Sequence, residues 1–249
     1  MKKRNYIPQR VLFGLLLILL SIFFYVIHFL IFRDRHHIFI YLLGDIAFVF
    51  IEVLLVTLII HHILGEREKR AMLNKLNMVI GAFFSEVGTP LLRYFTEFDT
   101  NAGRLSKHLI VDNDWSPEHF TQMQVVLQKH DHIIDSRIGN LQGLQSFVVD
   151  KRAFLLRLLE NPNLLEHEKF TELLWAVFHL AEELSCRASV ADLPDTDYHH
   201  LSGDIKRAHR LLVREWLSHM EHLKNDYPYL FSLAVRINPF DPNASAEVK

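Results

Sequence analysis

Residues 38–87 read IFIYLLGDIAFVFIEVLLVTLIIHHILGEREKRAMLNKLNMVIGAFFSEV. The part from Ile38 to Leu64 contains no proline and is apolar enough to cross a bilayer, which takes roughly 20 helical residues at about 1.5 Å each. Two acidic residues, Asp45 and Glu52, lie inside it. Residues 65–88 continue as a charged and then amphipathic segment. The stretch therefore predicts a membrane-spanning helix that leaves the bilayer as a helical stalk.

A second apolar run covers residues 11–32. It is longer than the apolar core of a secretory signal, which has roughly 7–15 residues, and no small-residue cleavage site follows it before the charged turn at 33–37. It is therefore predicted to be a retained span, so that residues 1–64 form a transmembrane hairpin. Basic residues are concentrated outside this hairpin, at Lys2, Lys3, Arg4, Arg10, Arg67, Lys69, Arg70 and Lys75. The positive-inside rule then predicts that both termini are cytoplasmic, with the hairpin in a prokaryotic inner membrane.

The two predicted spans carry matching polar stripes. Asp45 and Glu52 are seven residues apart, which is two helical turns and therefore one face. In the first span the same face holds Ser21, Tyr25 and His28. A charged carboxylate in hydrocarbon is unfavourable, so the acids must be paired, protonated or turned away from lipid. Two explanations stay open: hydrogen bonds that fix the packing of the spans, or a path for an ion or proton.

Composition separates the chain into two parts. The 249 residues are 50% hydrophobic with a formal net charge of -2, but the residues after Gly65 have the charged composition of a water-soluble domain. Its mildly acidic balance argues against nucleic-acid binding. The single cysteine, Cys186, excludes an intramolecular disulfide.

The stalk has an apolar seam at alternating spacings of three and four residues, formed by Leu73, Leu76, Ile80, Phe83 and Val87. Such a seam packs either in a coiled coil with another copy or on the chain's own soluble domain. Gly88 is expected to end the stalk, and Thr89-Pro90 to cap and begin the next helix.

The remaining chain shows helical periodicity and no strand alternation. Ser116-Pro117 opens a helix whose seam is expected to continue through His130 to Val148. Further amphipathic helices are predicted at 166–188, 199–224 and 228–237. The fold class is thus all-α: a two-helix transmembrane hairpin, a helical stalk at 65–88, a cytoplasmic helical bundle at 89–240 and a disordered tail at 241–249.

Polar residues of the soluble part suggest several kinds of site. A cationic face for anionic lipid or an acidic partner is formed by Lys206, Arg207, Arg210 and Arg214. Another face of the same helix carries Glu215, His219 and His222, and Asp226 lies near that face. This spacing can present two imidazoles and a carboxylate to one metal ion. Since neither Glu-x-x-His pairs nor His-Glu-x-x-His is present, we assign no metal ligand, no cofactor and no catalytic residue.

The His130-Asp131 doublet also resembles a motif of the helical HD phosphohydrolases. The other histidines and the aspartate that this motif needs could be supplied by His108, His199, His200 and Asp204. With 16 histidines in the chain, about one such doublet is expected by chance. His130 itself lies on an apolar seam and is interpreted as a hydrogen-bonded core residue.

Three long strings resemble a group of prokaryotic two-span membrane proteins of unassigned function: FIYLLGDIAFVFIEVLLVTLIIHHIL (39–64), MLNKLNMVIGAFFSEVG (72–88) and DYPYLFSLAVRINPF (226–240). The resemblance covers most of the chain from about Ile38 onward. It implies a two-span topology with a helical domain, and it brings no activity and no catalytic residue.

The leading functional hypothesis is therefore a non-enzymatic, membrane-anchored interaction or signal-relay module, expected to be a homo-oligomer in the lipid bilayer with a protein partner at its cytoplasmic domain. One alternative is a small oligomeric ion or proton conductor that uses Asp45 and Glu52. The other is a metal-dependent hydrolase in the soluble domain.

Overall fold

The computed structural model of the protein describes residues 9–162, 164 and 167–248. It is 79% helical, which confirms the all-α class, and within the described part no strand is present beyond one isolated antiparallel bridge between Asp99 and Ile134. The chain divides into two compact units, residues 1–68 and 69–249. The basic residues Lys2, Lys3 and Arg4 lie outside the described part.

The first unit contains α1 (Gln9–Phe32) and the beginning of α2 (Arg35–Phe83). The two helices are joined at Arg33, whose φ of 49° is in the left-handed region and allows a reversal within two residues. Their large apolar side chains are exposed, Phe50 to 74%. By length and composition, both helices are able to cross a membrane.

The second unit begins with the last residues of α2, the predicted stalk. Leu76, Ile80 and Phe83 are buried in this unit, and only Leu73 at the start of the seam is exposed. Of the two explanations for the seam, packing on the chain's own domain is therefore the one found. Gly88 does not end the helix, because Phe84–Gly88 forms a π-helical turn that leads directly into α3 (Thr89–Phe98).

The remaining helices are α4 (Ala102–His108), α5 (Pro117–Lys129), α6 (Leu141–Leu159), α7 (Glu168–Ser185), α8 (Asp195–Asp226) and α9 (Pro228–Arg236). The long helix α8 is central, since it packs against α3, α5, α7 and α9, while α6 packs on α7. Its inward face is apolar and includes Leu201, Ile205, Leu212 and Trp216. One continuous core results, which is what amphipathic helices need in order to bury their apolar faces.

The prediction of one continuous helical seam from Ser116 to Val148 is wrong between residues 130 and 140. Ser116 caps α5 as expected, in a reciprocal box with the His119 imidazole. The helix ends at Lys129, and the chain continues extended because His130 has a ψ of 127°. The next helix begins only at Leu141.

The described part of the predicted disordered tail at 241–249 has no helix or strand. Phe240 is buried against Trp216, with ring centroids 5.0 Å apart. Beyond it, the Ser245 amide donates to the Arg236 carbonyl at 2.9 Å. These contacts attach Phe240 and Ser245 to the bundle, whereas Val248 is 81% exposed, and disorder of the tail stays a prediction.

Candidate metal centre

The extended connector after α5 carries two histidines at alternate positions, His130 and His132. It lies along the end of α3, where the Asp135 amide donates to the Phe98 carbonyl and the Thr100 amide to the Ile133 carbonyl, both at 3.0 Å. In an extended chain residues i and i+2 share a side. The two imidazoles therefore face the same way, toward Asp99.

Four side chains meet there: Asp99, His130, His132 and His209, which we call the four-residue centre. His132 Nδ1 lies 3.1 Å from Asp99 Oδ2. One potential ligand atom from each of Asp99, His130 and His132 lies within 4.8 Å of the others. His209 comes from α8, and its ring centroid is 4.5 Å from that of His132.

The nitrogens of this centre are poorly satisfied by the protein. His209 is 2% exposed, yet neither of its ring nitrogens has a hydrogen-bond partner among the described residues. His130 Nε2 also has no hydrogen-bond partner among the described residues. Buried polar atoms are normally paired, because removing them from water without a partner costs on the order of 1–3 kcal/mol each. These nitrogens thus remain available to a further partner.

Electrostatics favour neutral imidazoles beside an ionised carboxylate. Burial and the neighbouring His132 lower the pKa of His209, and the same two causes lower the pKa of His130. Burial by itself would raise the pKa of Asp99, but the hydrogen bonds from His132 and from the Asn101 amide outweigh it and hold that pKa below its usual range. A neutral imidazole and an ionised carboxylate are the forms that bind a metal ion.

The polar stripe predicted in the spans is partly assembled within the first unit. Ser21, Tyr25, His28 and Asp45 all line one cavity of about 720 Å³ between α1 and α2. Glu52 is not among its lining residues and is exposed. The structure therefore groups four of the five predicted residues.

Two of the four residues of the predicted cationic face pair with acids of the same chain. Lys206 Nζ lies 2.7 Å from Asp131 Oδ1, and Arg207 Nη1 lies 3.6 Å from Asp204 Oδ1. Arg210 is exposed, and Arg214 is half-buried. The net positive charge available to an anionic partner is thus smaller than the sequence alone indicates.

The side chains of Glu215, His219 and His222, which the sequence suggested as metal ligands on α8, do not meet at one point. Burial raises the pKa of the Glu215 carboxyl, while His219 stacks on Phe84 with ring centroids 4.8 Å apart, and His222 Nδ1 lies 2.8 Å from Asp226 Oδ2. His219 and His222 instead line an apolar cavity of about 500 Å³ beside the π-helical turn.

The residues that suggested an HD phosphohydrolase are also separated. Asp131 is 77% exposed and pairs with Lys206, so it does not join His130 in the centre. His200 pairs instead with Asp204, four residues further along α8.

Sequence reasoning missed three members of the four-residue centre, Asp99, His132 and His209. The signal that was present is the His-x-His spacing at His130 and His132, which places two imidazoles on one side only if the chain is extended. We interpreted this segment as a helix, in which residues i and i+2 point apart. Asp99 and His209 lie on distant elements and have no local signal.

Comparison with known proteins shows which protein family the chain is related to. A family model described as "Uncharacterized protein MJ1433, C-terminal helical domain" matches residues 72–236, and one described as "MJ1433, N-terminal helical domain" matches residues 2–64. The chain belongs to the MJ1433 family. Uncharacterized protein MJ1433 of Methanocaldococcus jannaschii is 48% identical to it over 225 residues, which is 90% of each chain.

The MJ1433 family is described as helical and uncharacterised, which confirms those two parts of the resemblance seen in the sequence. The boundary between its two domain models, at 64–72, encloses the boundary between the two compact units at 68–69. Most of the predicted stalk falls in the C-terminal domain. No solved structure matches the chain.

Proposed function

We propose that this protein is a membrane-anchored relay module whose helical domain binds a divalent transition-metal ion at the four-residue centre. One observation carries the proposal: Asp99, His130 and His132 offer ligand atoms within 4.8 Å of one another, and the His209 imidazole lies against His132. His130 Nε2 and both ring nitrogens of His209 have no hydrogen-bond partner among the described residues. A bound cation would take the lone pair of His130 Nε2 and of one His209 nitrogen, and it would balance the charge of Asp99.

The donor set indicates the class of metal. Three nitrogens and one oxygen suit Zn²⁺, which takes imidazole at about 2.0–2.1 Å and carboxylate at about 2.0–2.2 Å in tetrahedral sites. Calcium and magnesium are disfavoured because they prefer oxygen ligands. Zinc is therefore the first metal to test.

Burial of the centre favours a regulatory or structural ion over a catalytic one. Asp99, His132 and His209 are all buried, which leaves little room for substrate beside the ion. An ion bound there would connect the end of α3, the connector after α5 and the middle of α8. Metal occupancy would thus set how firmly these three elements are held together, and this is the relay that we propose.

Anchoring in a membrane is supported by the first unit. Its helices are long and apolar, and their large side chains are exposed, as lipid-facing residues would be. The excess of basic residues at both outer ends supports cytoplasmic termini.

Metal content of the purified full-length protein tests the proposed site. We expect His209→Leu to bind one equivalent of zinc fewer than the wild type. Without metal, the same variant should be at least as stable, since it replaces a buried imidazole lacking hydrogen-bond partners among the described residues by an apolar side chain. Elemental mass spectrometry and thermal unfolding with and without zinc give the two measurements.

The matched control is His108→Ala, because His108 is exposed at the end of α4. It should retain the zinc of the wild type. Equal zinc content in His209→Leu and His108→Ala would show that His209 is not a ligand and would overturn the four-residue site proposed here.

A further inference from the structure

The apolar cavity beside the π-helical turn lies within the second unit and shares no lining residue with the four-residue centre. Its volume of about 500 Å³ falls in the range of roughly 300–1,000 Å³ that small-molecule sites have. The end of α2, the π-helical turn, α8 and α9 supply most of its walls. These elements contribute to one core, so the packing of the bundle shapes the cavity.

The lining lacks the fixed charges that an ionic ligand needs. Among the described residues that line the cavity, none is Asp, Glu, Lys or Arg. Partial burial lowers the pKa of His219 to about 4, which leaves this ring neutral near neutral pH, and His222 is already paired with Asp226. An ionised ligand would lose its water there without gaining an ion pair of its own. The cavity therefore favours an uncharged molecule.

The walls are rich in aromatic groups. Four aromatic side chains line the cavity, namely Phe84, Trp216, Tyr227 and Tyr229. Aromatic side chains pack on other planar rings at centroid distances of about 4.5–7 Å and gain more from this than from area burial alone. Met78 and Met220 add thioethers, which adapt to the shape of a ligand and contact aromatic rings favourably. Such a lining favours a planar ring over a saturated chain.

Two buried nitrogens of the lining imidazoles lack partners. His219 Nδ1 and His222 Nε2 have no hydrogen-bond partner among the described residues. His222 Nδ1 lies 2.8 Å from Asp226 Oδ2 and 3.4 Å from Asn77 Nδ2. The shorter contact is with a carboxylate, which only accepts, so Nδ1 carries the proton and Nε2 of the neutral ring is an acceptor. A hydroxyl group of a ligand would be a suitable donor to it.

We propose that this cavity binds an uncharged, planar aromatic compound that carries a hydroxyl group. The ring of the ligand packs among the aromatic side chains, and its hydroxyl supplies the donor that His222 Nε2 lacks. Met78 and Tyr229, which are 65% and 72% exposed, mark the opening of the cavity. Binding joins the end of α2 to α9 and does not depend on a metal ion at the four-residue centre.

Thermal unfolding of the detergent-solubilised full-length protein, with and without 2-naphthol, tests the site. At about five times its dissociation constant, 2-naphthol should raise the unfolding midpoint of the wild type by about 2–4 °C. Gly81→Leu should lose this rise, because the new side chain fills the cavity. A Cβ at Gly81 would meet nothing closer than His219 Cε1 at 3.8 Å, so the position has room for a side chain.

The matched control is Gly203→Leu, at an exposed position inside α8 where an added Cβ meets nothing within 4 Å. It should keep the rise of the wild type. Since the detergent takes up 2-naphthol equally in all samples, the difference between the variants reports the cavity. Ala234→Leu fills the same cavity from α9 and should also lose the rise. Midpoints without 2-naphthol check that each variant folds.

Further probes decide the class of ligand. 2-Naphthoate, which has the same rings but a charged carboxylate, should give no rise. Equal rises in Gly81→Leu and Gly203→Leu would overturn the site, and so would the absence of any rise in the wild type. A rise with 1-decanol but none with 2-naphthol would show that a saturated chain is the occupant. No rise with either probe, together with a smaller native mass of Gly81→Leu, would show that a second copy covers the cavity, and both results would overturn the proposal.

Discussion

The histidines of this molecule differ in how far they are buried. His219 is half-buried and stacks on Phe84, and this partial burial lowers its pKa to about 4, with a smaller contribution from His222. In the unfolded chain an imidazole titrates near 6.5. The folded state therefore binds fewer protons than the unfolded state between these two values.

Stability should accordingly fall as the pH is lowered from about 6.5 to about 4, because in this range His219 takes up a proton in the unfolded state but not in the folded state. The loss from this residue is on the order of 3 kcal/mol. We expect His219→Phe, which keeps an aromatic ring against Phe84, to have a shallower decline. Thermal unfolding at a series of pH values measures it, with the exposed His199→Phe as control. Equal pH slopes in the two variants would contradict the assignment.

At the scale of elements, the π-helical turn at Phe84–Gly88 depends on a close approach of side chains. A Cβ built on Gly88 would lie 2.5 Å from Phe84 Cδ1 and 3.0 Å from Phe83 Cε1. Both rings are buried and cannot move aside without disturbing the core. Gly88 is thus needed for space, since its own conformation is ordinary right-handed helix.

Replacing Gly88 by alanine should lower the free energy of unfolding by about 1–3 kcal/mol, as overpacking of a core does. The matched control is Gly103→Ala in α4, where an added Cβ meets nothing within 4 Å. There the substitution should stabilise by about 0.4–1 kcal/mol, because alanine restricts the unfolded chain. Chemical denaturation of both variants measures the two changes in the free energy of unfolding, which are expected to have opposite signs. Similar stabilities would show that the turn tolerates a side chain.

For the whole molecule, the decisive prediction is which side of a membrane the helical domain occupies. Cys186 is the one cysteine of the sequence and is exposed, so it reports the location of the domain without any fusion. A membrane-impermeant maleimide should leave it unlabelled in intact cells and label it after lysis. The protein should also stay with the membrane fraction after alkaline extraction.

The control places a cysteine in the turn between the two spans. The double variant Asp34→Cys with Cys186→Ser should be labelled in intact cells, because the turn is predicted on the outer side. Labelling of Cys186 in intact cells would reverse the topology, and release by alkali would refute anchoring.

The sequence by itself determined the helical class, the two apolar segments and the inward faces of the bundle. These follow from periodicity and apolar length, which are local properties of the chain. The Ser116 cap and the break before α9 were likewise readable from neighbouring residues.

The sites were decided by tertiary structure. Asp99, His132 and His209 are distant in sequence and meet only because the connector after α5 is extended along α3 and faces α8. The ion pair of His179 with Asp204 likewise forms only because α7 packs on α8. Local propensity favoured a helix through His130, but backbone hydrogen bonds to the end of α3 outweighed it. Such long-range contacts leave no periodic trace, so the fold class was predictable from the sequence while the meeting of these side chains was not.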